Sequence, residues 1–256
     1  MQLLVSVTGA DEAVEALSGG AQIIDAKDPA AGALGAVKPE TLSAIRAVVD
    51  EDVVVSAALG DATSPDGVER LAEEFAARGA GLVKVGFANV SRIGMVAELL
   101  AHAVRACERG SATSGVVAVA YADASCVGAV DARTLVSVAA ECGARGVLVD
   151  TADKSGAGLT GLWTAAQLAD WVSEVREHGL VAAVAGKLTL PDLSFVWGAN
   201  PDVVGVRGAA CVGGRLGRIS ADRVRELRCH SEPFVIPSGS EGSNVRTSWS
   251  ATRIGE

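Results

Sequence analysis

Short apolar segments recur along the chain, and longer segments with apolar residues at helical spacing separate them. The apolar segments are predicted to form β-strands at Leu3–Val7, Ile23–Lys27, Val53–Ala57, Leu82–Gly86, Val116–Tyr121, Val147–Asp150, Val181–Ala185 and Val203–Val206. Because they are apolar at nearly every position, they are typical of parallel strands covered on both faces. The segments between them are predicted to form helices at Asp11–Ser18, Pro39–Val49, Pro65–Arg78, Ser91–Arg109, Asp131–Cys142, Leu162–His178, Leu190–Trp197 and Ser220–Leu227.

This alternation predicts an α/β protein with a single (β/α)8 TIM barrel over residues 1–228. A doubly wound open sheet is the alternative, but it usually carries a glycine-rich dinucleotide loop after its first strand. The chain instead continues from Val7 as Thr8-Gly9-Ala10-Asp11, which is not such a loop. Residues 229–256 are polar and rich in proline, glycine and serine, so a short flexible C-terminal tail is predicted there.

Composition narrows the classes of function. With 49% hydrophobic residues in 256, the chain can bury a large core and is not typical of a disordered protein. A formal net charge of -9 argues against binding to nucleic acid or to an anionic membrane, because both need clustered basic residues. No apolar run is long enough to span a bilayer, and the N-terminus reads as a first strand rather than a signal peptide. A cytoplasmic protein is therefore expected.

Cysteine and histidine residues are scattered rather than clustered. The cysteines are Cys107, Cys126, Cys142, Cys211 and Cys229, and the histidines are His102, His178 and His230. Their spacing forms no zinc-binding pattern, so neither a metal nor another cofactor is expected. The cysteines are interpreted as reduced thiols that fill the core.

Lysine is scarce in this chain. Of 22 basic residues only five are lysine, namely Lys27, Lys38, Lys84, Lys154 and Lys187. A lysine amine can lose its proton and form an imine with a carbonyl, whereas an arginine guanidinium remains charged. Lysines retained in an arginine-rich chain therefore indicate imine chemistry.

Three of these lysines and two aspartates are predicted to converge at the mouth of the barrel. Asp25 and Lys27 lie two residues apart at the end of one strand and so face the same way, Lys84 lies within another, and Asp150 closes a third, with Lys154 in the loop that follows. These are alternate strands, whose inward residues share a layer. Two structural alternatives stay open: Lys27 is a surface lysine at a strand end, and Lys84 forms a structural ion pair with Asp25 or Asp150.

The last two predicted strands are followed by glycine-containing turns. Gly186 and Lys187 follow the seventh strand, and Arg207 and Gly208 follow the eighth. Barrel enzymes often bind a phosphate with backbone N–H groups of these two loops, so Gly186, Arg207 and Gly208 are predicted to bind a substrate phosphate. The alternative is that the glycines only shape tight turns.

The segment Ile23–Pro29 followed by Gly32–Ala36 resembles the Asp-x-Lys-(Asn/Asp)-Pro…Gly-x-Leu-Gly-Ala motif of the (5-formylfuran-3-yl)methyl phosphate synthase family. The same resemblance extends to Val83–Gly86, Tyr121–Ala124, Gly128–Asp131, Leu148–Ala152 with Lys154, Ala185–Gly186 and Val204–Cys211. It covers residues 1 to about 228 in register.

The resemblance implies a barrel enzyme that condenses two molecules of glyceraldehyde 3-phosphate into a phosphorylated furan aldehyde for methanofuran-type cofactors. It implies that Lys27 forms the Schiff base, that Lys84 accepts a proton, and that Asp25, Asp150 and Lys154 support them. Two other functions stay open: a different Schiff-base aldolase acting on a phosphorylated sugar, and a non-catalytic barrel that binds a phosphorylated metabolite. A homo-oligomer is also expected, because compact acidic barrels often self-associate.

Overall fold

The computed structural model describes residues 1–231, and the parallel strands in this part of the chain close into an eight-stranded barrel. The strands are β1 (Gln2–Val7), β2 (Ile23–Ala26), β3 (Val54–Asp61), β4 (Leu82–Gly86), β5 (Gly115–Tyr121), β6 (Gly146–Asp150), β7 (Val181–Val184) and β8 (Val203–Val206). Each strand pairs with the next, and β1 closes the ring on β8 with Gln2 opposite Val203. The predicted TIM barrel is confirmed, and the open sheet is excluded.

Helices lie between the strands and cover the outside of the barrel. They are α1 (Ala10–Ser18), α2 (Pro39–Val48), α3 (Pro65–Ala77), α4 (Ile93–Gly110), α5 (Ala132–Glu141), α6 (Leu159–Leu162), α7 (Ala165–Glu177), α8 (Leu193–Ala199) and α9 (Ala221–Ser231). Pro39 and Pro65 occupy the first turns of their helices, where the missing N–H costs no hydrogen bond. Across residues 1–231, every helix falls short of the length and apolarity that crossing a bilayer requires.

The predicted helix Leu162–His178 corresponds to α7, which begins later, at Ala165, and is preceded by the short helix α6. Thr164 lies between α6 and α7 and caps α7, because its hydroxyl accepts from the backbone N–H of Gln167 while the Gln167 side chain accepts from the N–H of Thr164. This reciprocal capping box satisfies two N–H groups that the new helix would otherwise leave unpaired. The helix predicted from the sequence therefore starts three residues too early, and α6 was not predicted.

Two features near the end of the described chain also differ from the prediction. A small antiparallel hairpin, β9 (Cys211–Val212) and β10 (Arg218–Ile219), follows the barrel and is too short to leave a periodic pattern. Helix α9 continues to Ser231, four residues past the helix end predicted at Leu227, because neither Cys229 nor His230 is a helix-breaking residue. The rest of the predicted tail, residues 232–256, lies outside the described residues.

Along the strands, the interior of the barrel changes from apolar to polar. Near the N-terminal ends the inward side chains form an apolar cluster that includes Leu4, Ile23, Leu82, Leu148, Val181 and Val203. Nearer the C-terminal ends the inward positions carry buried polar side chains, namely Ser6, Asp25, Ser56, Lys84 and Asp150. Because side chains alternate along a strand, each polar residue stands two positions after an apolar inward one. The fold thus places buried polar and charged side chains at the C-terminal end of the barrel core.

Candidate active site

A cavity of about 250 Å³ opens at the C-terminal ends of the strands, where barrel enzymes have their active sites. All of the residues predicted to form the site line it, namely Asp25, Lys27, Lys84, Asp150, Lys154, Gly186, Arg207 and Gly208. The structure therefore brings together residues from β2, β4, β6, β7 and β8. Their catalytic and binding roles stay predictions.

The first ion pair of the cavity joins Asp25 on β2 to Lys84 on β4. Lys84 Nζ lies 2.6 Å from Asp25 Oδ1, and both side chains are almost completely buried. Ser6 donates to Asp25 Oδ2 at 2.7 Å and Ser56 donates to Oδ1 at 2.7 Å, from the strands on either side of β2. Burial pushes the pKa of Asp25 upward, but the charges of Lys84 and Lys27 outweigh it and leave this pKa below its ordinary value. Asp25 is therefore held as a fixed carboxylate.

The second ion pair joins Asp150, the last residue of β6, to Lys154 in the following loop. Lys154 Nζ lies 2.6 Å from Asp150 Oδ1 and 3.2 Å from Thr151 Oγ1, and the N–H of Thr151 donates to the same carboxylate at 2.8 Å. Burial again raises the pKa of Asp150, and the charges of Lys154 and Lys27 reverse that shift. Lys154 is the more accessible lysine of the two pairs, with a side chain that is 15% exposed.

Lys27 is left without a carboxylate of its own. It follows β2 directly and is buried, and within residues 1–231 its Nζ forms neither a hydrogen bond nor an ion pair. Burial and the nearby charge of Lys84 lower the pKa of Lys27 to about 8, although Asp150 and Asp25 act in the opposite direction. An amine with this pKa is partly uncharged near neutral pH, and only the uncharged amine can attack a carbonyl.

The opposite wall of the cavity is formed by the turns after β7 and β8. The backbone N–H groups of Gly186, Lys187, Gly208 and Ala209 donate to no acceptor within residues 1–231. Gly186 has a φ of 112°, and a Cβ added there would lie 3.0 Å from Cβ of Leu159, so this turn requires glycine. Unpaired N–H groups that face a cavity can bind an anion such as a phosphate.

Arg207 lines the cavity, but its side chain is already fully engaged. Its Nε donates to Arg215 O at 2.8 Å, Nη1 donates to Ser6 O at 2.8 Å and to Glu12 Oε2 at 2.9 Å, and Nη2 donates to Glu12 Oε1 at 3.3 Å and to Gly217 O at 3.1 Å. A guanidinium has five N–H donors, and all five are used here. The phosphate contact of Arg207 stays a prediction, and in this structure every donor of its side chain already has an acceptor within the protein.

Sequence reasoning missed several residues of the site. Ser6 and Ser56 could have been found, since each is a polar residue at an inward position of an otherwise apolar strand. Glu12 gave no comparable indication, because its contact with Arg207 joins segments that are far apart in the sequence. Arg215 gave none either, because it lies in a hairpin whose strands are too short to leave a periodic pattern.

The comparisons with known proteins agree on the fold and on the family. Among solved structures, the barrel superposes on 3-hexulose-6-phosphate synthase with a TM-score of 0.61 and 24% identity, covering 90% of this chain and 99% of that one. It superposes on KGPDC from Streptococcus mutans with a TM-score of 0.62 and 16% identity, covering 90% and 96%. At these identities the likeness shows the fold alone.

Sequence relatives are much closer. The (5-formylfuran-3-yl)methyl phosphate synthase of Methanothermobacter thermautotrophicus is 42% identical over 231 residues, which cover 89% of this chain and 98% of the relative. The protein of the same name from Methanopyrus kandleri is 41% identical over 233 residues, covering 88% and 97%. A family model described as 4-HFC-P synthase matches residues 3–228. The resemblance noted from the motifs is confirmed: the chain belongs to the 4-HFC-P synthase family.

Proposed function

We propose that this protein condenses two molecules of glyceraldehyde 3-phosphate into (5-formylfuran-3-yl)methyl phosphate through a Schiff base on Lys27. The observation that carries the proposal is the division of charge in the cavity, where Lys84 and Lys154 are paired with aspartates and, within residues 1–231, Lys27 is not. The relatives supply the product, because they are named synthases of this compound.

The first half of the reaction forms an enamine. The uncharged amine of Lys27 attacks the aldehyde carbon, and the resulting carbinolamine loses water to give an imine. Lys84, which forms an ion pair with Asp25, donates the proton that the departing hydroxyl needs. The imine makes the neighbouring carbon acidic, and the now neutral Lys84 accepts the proton from that carbon.

The second half joins the two substrates. The enamine expels its phosphate, and the terminal carbon of the resulting enol attacks the carbonyl carbon of the second triose phosphate, which has isomerised to the ketone. The primary hydroxyl of that ketone then closes the ring on the carbonyl next to the imine, and loss of two waters gives the aromatic furan. Atom balance requires that one phosphate and two waters leave for each furan formed, with hydrolysis of the imine regenerating Lys27. Lys154 and Asp150 stand beside this chemistry and can donate and accept protons in the eliminations.

The test is to incubate the full chain with glyceraldehyde 3-phosphate and borohydride, and to map the reduced adduct by mass spectrometry. We expect one adduct on Lys27, its loss in Lys27→Arg, and its persistence in Lys38→Arg, a matched variant of an exposed lysine outside the cavity. Without borohydride, the furan chromophore appears with wild type and Lys38→Arg but not with Lys27→Arg.

The alternatives give different results. An adduct on Lys27 with an open-chain product identifies a different Schiff-base aldolase. An adduct on Lys84 or Lys154 overturns the assignment of Lys27 as the nucleophile. Furan formation without any adduct indicates base catalysis with no covalent intermediate. Absence of both adduct and product would make the protein a binder of phosphorylated metabolites.

A further inference from the structure

We propose that Arg215, on the turn between β9 and β10, is the arginine that recognises the substrate phosphate, and that Arg207 and Glu12 position it. The inference rests on the proposed function, in that the ligand is a phosphorylated aldehyde. It replaces the predicted phosphate contact of the Arg207 side chain with a residue that the sequence did not indicate.

Arg215 has the donors that Arg207 lacks. Its Nη1 donates to Pro29 O at 2.6 Å and its Nη2 donates to Gly32 O at 2.6 Å. Of the five N–H donors of its guanidinium, three have no acceptor within residues 1–231, and the side chain lines the cavity together with Lys27. A half-buried guanidinium with three unused donors in a cavity is suited to an anionic ligand.

The bonds that Arg215 does make set its orientation. Both carbonyl acceptors belong to the segment that follows Lys27 in the chain, so the guanidinium bridges the β9–β10 turn and the loop after β2. Burial lowers the pKa of Arg215, and the carboxylates of Asp150 and Asp28 oppose that effect. The Arg215 guanidinium therefore interacts electrostatically with Asp150 in the cavity. The guanidinium thus lies between the loop that follows Lys27 and the cavity wall formed by the turns after β7 and β8.

Arg207, which is paired with Glu12, fixes the turn between β9 and β10 through hydrogen bonds to its backbone. Arg207 donates to the backbone carbonyls of Arg215 and Gly217, and its other donors bind both carboxylate oxygens of Glu12. Burial raises the pKa of Glu12, but hydrogen bonds from Arg207 and Thr8 outweigh that effect and keep it below its ordinary value. The ion pair between Arg207 and Glu12 therefore helps to fix the backbone from which the Arg215 side chain extends.

The backbone N–H groups after β8 belong to the same wall. A Cβ added to Gly208 would lie 3.7 Å from the backbone N of Arg215, so the two backbones lie close together there. A phosphate on the N–H groups of Gly208 and Ala209 would thus lie beside the turn that carries Arg215. Lys187 is the other cation of this wall, but its Nζ is exposed and donates to Gly156 O, and an ammonium cannot form the paired bonds of a guanidinium.

The test separates recognition of phosphate from formation of the imine. Half-saturating concentrations for borohydride trapping are measured with glyceraldehyde 3-phosphate and with unphosphorylated glyceraldehyde, for wild type, Arg215→Ala, Arg215→Lys and Arg218→Ala. Arg218 lies exposed on the same hairpin outside the cavity, so Arg218→Ala is the matched control. We expect Arg215→Ala to raise the value for the phosphorylated aldehyde at least tenfold, as loss of a charge-assisted hydrogen bond does, and to leave the value for glyceraldehyde unchanged. Arg215→Lys is expected to recover only part of the loss, and Arg218→Ala to match wild type.

Two results would overturn the proposal. An equal rise for both aldehydes would make Arg215 a clamp between two loops, and no rise for either would give it no role in binding. Calorimetric titration with inorganic phosphate provides a readout that needs no imine, and there Arg215→Ala is expected to bind at least tenfold more weakly than Arg218→Ala. Equal phosphate affinities would refute this inference even if Lys27 forms the adduct, whereas failure of trapping in wild type with an intact phosphate difference would refute only the Schiff base.

Discussion

The end of β2 and the middle of β4 each bury a lysine, and the two lysines have different surroundings. Lys84 on β4 lies 2.6 Å from Asp25, which Ser6 and Ser56 also bind, so its charge is matched within the core. Lys27, which follows β2, has no partner within residues 1–231, and its pKa falls to about 8.

The difference shows how a core can make one lysine stable and its neighbour reactive. Burial disfavours a charged amine, and an adjacent carboxylate restores the balance. The cavity supplies carboxylates for Lys84 and Lys154 only, so the cost of desolvation remains on Lys27. A group that is destabilised in its charged form is a better nucleophile near neutral pH.

Replacing Asp25 by asparagine removes the difference between Lys84 and Lys27, because Lys84 then also becomes a buried cation without a carboxylate partner. We expect the free energy of unfolding in urea to fall by about 3–5 kcal/mol, the range for breaking a buried ion pair. Asp170→Asn, on the exposed face of α7, is the matched control and is expected to change stability little. A loss for Asp25→Asn no larger than that of the control would mean that the core does not depend on this pair.

Replacing Lys27 by methionine removes the unpaired cation, and it should stabilise the fold while abolishing adduct formation. The folded-state pKa of Lys27 is about 8 against 10.5 for a free lysine, so the unfolded chain binds more protons between these values and wild-type stability rises with pH across that window. At pH 7 the penalty is fully present, and we expect the methionine variant to be about 3 kcal/mol more stable than wild type.

The decisive part of the measurement is how the difference in the free energy of unfolding between Lys27→Met and wild type changes with pH. By pH 9.5 the advantage of Lys27→Met should fall to about 1 kcal/mol, because the folded amine has already lost its proton. Borohydride trapping in wild type should rise through the same pH of about 8 and then level off. A stability difference that stays constant with pH would indicate that packing, rather than charge, distinguishes the variant.

Much of this arrangement could be predicted from the sequence, because it depends on short-range periodicity. Apolar runs covered on both faces identified the strands, and the spacing of Asp25 and Lys27 placed both on the inside of the barrel. The converging lysines followed from the order of the strands around the barrel. The sequence could not predict which lysine lacks an ion-pair partner, since that depends on distances between side chains from different strands.

The cavity wall formed by the turns after β7 and β8 was predicted less well. Position after β7 and β8 correctly placed Gly186, Arg207 and Gly208 at the cavity. The sequence could not show that Arg207 donates to Glu12 and to the carbonyl of Ser6, because those bonds join the two ends of the barrel chain through closure of β1 on β8. The hairpin that carries Arg215 has strands of two residues, too short for any periodic pattern.

Breaking the ion pair between Asp150 and Lys154 is expected to cost less stability than breaking the pair between Asp25 and Lys84. Replacing Asp150 by asparagine should lower the free energy of unfolding by about 2 kcal/mol, less than for Asp25, because Lys154 lies in a loop and can turn towards solvent. The charge of Asp150 also raises the pKa of Lys27, so its removal should move the pH midpoint of trapping downward. An upward shift, or none, would show that Asp150 does not act on the reactive amine.

Removing the hydroxyl of Ser56 is the mildest change, and it separates the positioning of Asp25 from its charge. Ser56 donates one hydrogen bond to Asp25 Oδ1, which Lys84 also binds, so Ser56→Ala should cost about 1 kcal/mol of stability. The hydrogen bond from Ser56 helps to lower the pKa of Asp25, but Lys84 and Lys27 lower it more, and the carboxylate stays ionised at neutral pH without it. The field that Asp25 exerts on Lys27 is then unchanged, and the trapping midpoint should stay near pH 8. Ser6→Ala, which removes the bond to Oδ2, should behave in the same way. A midpoint that moves in either serine variant would mean that the placement of the Asp25 carboxylate, and not only its charge, sets the reactivity of Lys27.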